Sequence, residues 1–291
     1  MRVRCVLVGI DIYEHPEIPP LSGCVNDVAL VRSTIKGFGV PNEDIHVLVN
    51  RRATKANIMD RLERTVRSAE PGDVLVFYYS GHGSQIRDRN GDELADALDE
   101  VICPYDMDWG TETFIIDDDL DAILAETPLD VVVEVFVDCC FWGAGPMERE
   151  IRFVPPPFDI AARAEGDEDM LHFHSLAGCE CFAGRNVFWA ASSEGQLAAE
   201  DFLEGRQHGV FTFWGCMFMA ANAERILNHE YSRQELVEDL HVYLRSLGYE
   251  QRPELWAPWN LQIAPPFLPG DAELPGPSAE AFGARTRPRG F

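Results

Sequence analysis

Two apolar runs, each ending in a turn with a reactive side chain, restrict this chain more than any other feature. Asp73-Val-Leu-Val-Phe-Tyr-Tyr-Ser80 breaks into Gly81-His82-Gly83, and Val131-Val-Val-Glu-Val-Phe-Val137 runs straight into Asp138-Cys139-Cys140. Each run reads as a buried strand that presents a side chain at its C-terminal end. In an open parallel sheet ligands bind at that edge. A thiol and an imidazole meeting there make a nucleophile and its base. Taken alone, a histidine after a strand also fits a hydrogen-bonded structural residue, and adjacent cysteines also fit small buried hydrophobes. Neighbouring residues point in different directions, so at most one of Cys139 and Cys140 meets His82.

The rest of the chain supplies a frame. Residues 2–10 read as an apolar first strand, and an amphipathic helix from about Val25 to Lys36 carries Val28, Val31 and Ile35 on one face. Asp44–Val49 reads as a second strand. Thr54 is placed to cap a helix through Ile58, Leu62 and Val66, which Pro71-Gly72 ends. With the strand Val74–Tyr79 this is β-α-β-α-β, the pattern of a mostly parallel sheet covered on both faces. Residues 84–112 break the pattern: Arg87–Glu100 reads as a polar excursion and Val101–Pro104 as a short extended piece. Asp117-Asp-Asp119 opens a short helix, where carboxylates suit the dipole. After the cysteines, residues 143–177 read as an irregular linker. A strand over Asn186–Ala191 and an apolar helix over Val210–Ala221 follow, and Ser232-Arg-Gln-Glu235 is a capping box. Residues 265–291, rich in Pro, Gly and Arg, read as a disordered tail. Both halves feed one sheet, so residues 1–264 form one domain, with parts 1–142 and 178–264 either side of the linker.

Composition narrows the function. A net charge of −25 argues against nucleic acid, whose phosphates need clustered Lys and Arg. It suits cationic ligands through the overall field, or it serves solubility alone. No apolar run reaches the roughly 18 residues of a membrane helix. Met1–Ile10 reads as a strand rather than a signal peptide, and the scattered cysteines suit reduced thiols in a cytoplasm.

Several ordered motifs carry a resemblance: Tyr79-Ser-Gly-His-Gly-Ser-Gln85, Asp92-Glu93, Asp99-Glu-Val-Ile-Cys-Pro104, Ile116-Asp-Asp-Asp119 and Phe136-Val-Asp-Cys-Cys140. With Leu7-Val-Gly-Ile10, Leu21-Ser-Gly-Cys-Val-Asn-Asp27, Thr54–Ile58, Ser192-Ser193, Gln196 and His208-Gly-Val-Phe-Thr212, they resemble the metacaspases over roughly residues 3–255. These are cysteine peptidases of the caspase-like clan, and the chain resembles the prokaryotic, type I-like members, the orthocaspases. The resemblance implies an α/β caspase-like (caspase–hemoglobinase) fold of about six mostly parallel strands.

It further implies a cysteine endopeptidase with His82 and Cys140 as dyad and the Gly83 and Cys140 N–H groups as oxyanion donors. An acidic pocket of Cys24, Asp27, Ser80 and Asp138 would direct cleavage after Arg or Lys. Two carboxylates beside a nucleophile suit a guanidinium or ammonium, while Asp27 also suits a helix cap and Asp138 a bond to nearby backbone. Calcium activation would fall on Asp99, Asp117 and Asp118, a density that suits a hard cation or a solvated acidic loop; no cofactor is needed for the chemistry. Arg149, Arg152 and Arg163 in the linker offer sites of self-cleavage. Substrates would be proteins or peptides, and the protein a cytoplasmic monomer. One departure stands out: Phe141-Trp142-Gly143 replaces the family's usual His-Ser-Gly after the nucleophile. It feeds the alternative of a catalytically silent caspase-like module that binds partners. A third reading, a redox or metal site on the paired cysteines, lacks Cys-x-x-Cys spacing.

Overall fold

Alternate residues of the long apolar strands feed two separate cores, one on each face of a single sheet. The computed structural model describes residues 1–87, 98–110, 113–140, 152–157, 186–193, 196 and 198–267. In chain order these hold β1 (Val3–Gly9), α1 (Cys24–Gly37), β2 (Ile45–Val49), α2 (Lys55–Arg67), β3 (Val74–Ser80), β4 (Gly83–Arg87), β5 (Leu98–Ile102) and β6 (Ile115–Ile116). Then come α3 (Asp117–Leu124), β7 (Val132–Asp138), β8 (Asn186–Ala190), β9 (Glu200–Leu203), β10 (Arg206–Gly209) and α4 (Val210–Ala221). Last are α5 (Ala223–Leu227), α6 (Arg233–Ser246), β11 (Glu254–Trp256) and α7 (Trp259–Gln262).

The main sheet has the order β11-β8-β7-β3-β1-β2. Every neighbouring pair is parallel except β11 with β8. The mixed α/β architecture and the six mostly parallel strands are those expected. Leu7, Val76, Tyr78, Phe136 and Trp189 face one way, onto Val28 and Ile35 of α1, Phe211 and Met219 of α4 and Leu240 of α6. Val8, Phe77, Tyr79, Val135 and Phe188 face the other way, onto Ile58 and Leu62 of α2 and Leu120 and Ile123 of α3. Register aligns the strand ends: Gly9 lies beside Ser80, and Ser80 beside Asp138.

Local signals fix the helices that brace this edge. Thr54 Oγ1 accepts from the Asn57 N–H at 3.2 Å to start α2. Ser232 and Glu235 close the capping box of α6, and Gly248, at φ +86°, lies just past its end. At α1 the cap comes from a distance, because Asp11 Oδ1 accepts from the Cys24 N–H at 2.7 Å. That leaves Asp27, one turn in, free for other partners.

Three features differ from the sequence expectation. Part of residues 84–112 forms, with Ile115–Ile116, a second sheet, β4-β5-β6, antiparallel throughout. Its polar appearance misled because Ser84, Asp99 and Glu100 are buried. A hairpin, β9–β10, turns at Glu204-Gly205, both at positive φ (47° and 84°), the backbone a two-residue hairpin turn requires. Ordered packing also passes residue 264. Phe267 is buried, and its N–H donates to Glu134 Oε1 at 2.6 Å. Residues 268–291 and most of the 143–177 segment, with Arg149, Arg163 and Phe141-Trp142, lie outside the described residues.

Candidate active site

The ends of β1, β3 and β7, the first turn of α1 and the β9–β10 hairpin enclose one buried group, the guanidinium of Arg152. Arg152 has no exposed surface. Its Nη2 lies 2.7 Å from Asp27 Oδ2 and 2.9 Å from Glu200 Oε1, and its Nη1 lies 3.0 Å from Asp138 Oδ1. Nη1 also donates to Ser80 Oγ at 2.9 Å and to the Asp138 carbonyl at 3.0 Å. Burial alone opposes the charge, but Asp138, Asp27 and Glu200 outweigh it and hold Arg152 firmly protonated. Burial lifts Asp138 to about 6, against the pull of Arg152.

Each carboxylate is held by other groups. Asp138 Oδ2 accepts from Thr212 Oγ1 at 2.5 Å and from the Thr212 N–H at 3.2 Å. Asp27 accepts from the Gly209 N–H at 3.1 Å, with His208 Nδ1 2.9 Å away. Glu200 accepts from the N–H groups of Gly23 and Ser22 at 3.1 and 3.3 Å, and the Cys24 thiol leans on it at 3.7 Å. Gly209 makes room: a β-carbon there would strike Asp138 Oδ2 and both terminal nitrogens of Arg152. So Cys24, Asp27, Ser80 and Asp138, the expected pocket residues, lie together. Glu200 joins them without having been singled out from sequence.

The backbone of Arg152 is held as closely as its side chain. Its carbonyl oxygen accepts from the Gly83 N–H at 2.9 Å and the Cys140 N–H at 3.0 Å. Two N–H donors converging on one carbonyl would stabilise an oxyanion formed from it. Gly83 is required for this approach, because a β-carbon would strike the Cys140 carbonyl.

His82 is pinned at its backbone and at one ring nitrogen. Its N–H donates to Tyr13 Oη at 2.8 Å and its carbonyl accepts from Tyr79 Oη at 2.6 Å. Nε2 sits 2.8 Å from the Pro19 carbonyl, which can only accept, so Nε2 carries a proton and Nδ1 is left to exchange one. Nδ1 is buried with no hydrogen-bond partner. Cys140 Sγ accepts from the Ala198 N–H at 2.8 Å and sits 3.4 Å from the Ala198 carbonyl. No hydrogen bond joins the thiol to His82. Burial pushes the thiol up to about 12 and the imidazole down to about 4, so both are neutral with Arg152 seated. Cys139, also buried, faces the other core.

The acidic residues assigned to calcium lie on other elements than the carboxylates around Arg152. Asp99 lies in β5, and Asp117 and Asp118 open α3, with Asp99 and Asp117 buried. Among the described residues no three His, Cys, Asp or Glu side chains converge as a metal site. Asp92-Glu93 lies outside those residues. No described helix is long and apolar enough to cross a membrane, and the six described cysteines are free thiols, all buried.

The family described as "Metacaspase, peptidase C14 domain" matches residues 3–145. Metacaspase-2 of Trypanosoma brucei brucei is 33% identical over 151 residues, which cover 49% of this chain and 42% of that protein. The chain thus spans less than half the length of that relative. Metacaspase-1 of Sclerotinia sclerotiorum is 34% identical over 307 residues, covering 92% of this chain and 68% of that protein. The crystal structure of protein GSU0716 from Geobacter sulfurreducens superimposes with a TM-score of 0.67 at 19% identity, covering 93% of this chain and all of that one, a likeness of fold. With 34% identity across 92% of this chain and 68% of that relative, this chain belongs to the metacaspases.

Proposed function

We propose that this protein is a cysteine endopeptidase that cleaves after Arg or Lys through Cys140 and His82, and that it cuts its own chain after Arg152. One observation carries the reading: a peptide arginine is bound with its guanidinium among three buried carboxylates and its carbonyl on the N–H groups of Gly83 and Cys140. That is how an arginyl substrate would be presented. Sγ of Cys140 attacks the carbonyl carbon, and the oxygen takes up charge against the Gly83 and Cys140 N–H groups. His82 Nδ1 receives the thiol proton and returns it to the leaving amine, with Nε2 steadied by the Pro19 carbonyl. Water then hydrolyses the thioester. Release of the Arg152 segment would rehydrate the thiol and imidazole and ease the burial that shifts both.

The test is hydrolysis of fluorogenic peptides ending in Arg, Lys or Asp, by wild type and Cys140→Ala, with calcium or with chelator. Arg- and Lys-directed turnover lost in the variant is expected; turnover after Asp alone would sink the pocket assignment. Mass spectrometry of the incubated wild type should find a new N-terminus at Phe153. Activation by calcium through Asp99, Asp117 and Asp118 is a separate proposal, answered by the chelator arm. The reading takes the protein as a cytoplasmic monomer acting on proteins or peptides, its mass in solution measurable by light scattering. A silent binding module remains the rival, favoured by the seated Arg152 and the neutral thiol. Failure of Cys140 to react with an arginyl chloromethylketone would support it.

A further inference from the structure

The chain beyond Arg152 is held on the enzyme as firmly as Arg152 is. Val154 donates its N–H to the Gly83 carbonyl at 3.0 Å. Ser84 Oγ, fully buried, donates to the Val154 carbonyl at 2.6 Å. Gly83 and Phe153 pair as a parallel bridge. Burial alternates along the segment as it does along a strand: Arg152 and Val154 are buried, Phe153 is half-buried and Pro155 is exposed. The Val154 side chain, 5% exposed, completes a small apolar cluster with Ile18, Ile86, Cys103, Met107 and Phe114. Ile18 comes from the loop that carries Pro19, Ile86 from β4, and Cys103 and Met107 from the chain after β5. This socket is therefore built by elements that also fix His82, and the same strand, β4, supplies Gly83 to the carbonyl of Arg152.

We infer that this is a subsite for the second residue beyond the cut, which binds substrate as an added strand on β4 and selects a branched aliphatic side chain. The inference rests on the proposed function, in which Arg152 stands for the residue before the cut. Bonds from Gly83 and Ser84 reach only main-chain atoms and accept any sequence, so selection falls to the socket, the usual division of labour when a peptide extends a sheet edge. Glycine there leaves the socket empty. Aspartate would bury a charge among aliphatic, thioether and aromatic groups with no cation among them. The leaving half of a substrate is thus recognised, and peptides that stop at the scissile bond lack this contribution.

The experiment uses the full chain carrying Arg152→Ala and Val154→Asp, which keeps its own segment out of both pockets. Quenched peptides containing Arg-Phe-Xaa-Pro, with Xaa as Val, Gly or Asp, are compared with an arginyl-coumarin reporter in calcium buffer. The Val peptide should exceed the Gly peptide in kcat/KM by about tenfold and the Asp peptide by about a hundredfold. Three peptides cut within about threefold of one another, beside a working coumarin reporter, overturn the subsite and leave the Arg-directed peptidase standing. Loss of turnover on every arginyl compound overturns both. A second measurement needs no added substrate. Val154→Asp alone should slow self-cleavage after Arg152 by at least about tenfold, with Val154→Ile close to wild type. Equal rates for the two variants refute the inference.

Discussion

Under the proposed function a seated Arg152 competes with an arginyl substrate for the same three carboxylates, and the strength of that competition can be bounded. The perturbation is Arg152→Ala in a Cys140→Ala background, where neither protein can cut itself. Arg152 makes ion pairs of 2.7, 2.9 and 3.0 Å with no exposed surface on any partner. Removing one partner from a buried pair costs about 3–5 kcal/mol. If that energy separates the seated from the released segment, an outside peptide binds about 150- to 5000-fold more weakly to the chain that keeps Arg152. Water entering the vacated pocket recovers part of the energy, so this range is a ceiling, and a floor of about tenfold still marks a seated arginine. Titration calorimetry with a peptidyl-arginine amide reads the ratio directly. Affinities within about threefold of each other would refute the reasoning. Equal gains for a peptidyl-aspartate amide would do so too, because the released surface would then not be this pocket.

Glu200→Gln removes one charge from the guanidinium cradle while keeping a hydrogen-bonding group. KM for an arginyl substrate should rise about tenfold to a hundredfold, with kcat much less affected, in steady-state assays of the self-cleaved protein. His82 makes stability depend on acid. Burial lowers its folded-state value from 6.5 to about 4, so between those values the unfolded chain binds a proton that the folded chain refuses. Stability attributable to this group is full above pH 6.5 and falls as pH drops towards 4, by about 3 kcal/mol in total. Urea midpoints of wild type and His82→Gln should converge as pH falls from 7 to 4, and parallel curves would contradict the buried neutral imidazole. Glu134→Leu removes the carboxylate that pairs with the buried Arg233 at 2.6 Å and accepts from the Phe267 N–H. A loss of about 3–5 kcal/mol is expected, measured by denaturant unfolding; a loss below about 1 kcal/mol would refute the network's role.

The two strand ends could be read from sequence because strands buried on both faces appear as unbroken apolar runs. Ser80-Gly81-His82 and Asp138-Cys139-Cys140 stand where those runs stop, and β3 and β7 are adjacent and in register. Asp27 was less legible. An acid in the first turn of a helix looks like a cap, and only the arrival of Asp11 at the Cys24 N–H, from outside the helix, shows that the cap is already supplied. Glu200 was not legible at all. It opens a four-residue strand, Glu-Asp-Phe-Leu, whose local cue is the turn at Glu204-Gly205. What brings it to the pocket is the hairpin packed against Gly23 and α1. Arg152 was visible as a basic residue in a linker, but its place depends on three acids from three distant segments, which no local pattern encodes.

On that reading the same three acids would have two consequences that cannot be separated by substitution within the pocket. Under the proposed function, whatever tightens the cradle around a substrate guanidinium also tightens it around Arg152, and selectivity and self-restraint would share one energy. Part of the strong negative charge, which read equally well as solubility, is spent in this way at a fully buried site. Glu200→Gln should accordingly weaken substrate binding and speed release of the Arg152 segment together. In a Cys140→Ala background, modification of the segment's backbone by an added protease would report that release. A Glu200→Gln chain that loses arginyl binding yet keeps Arg152 as protected as before would show that the two arginines are held by different contacts, and the substrate-like reading of Arg152 would fail.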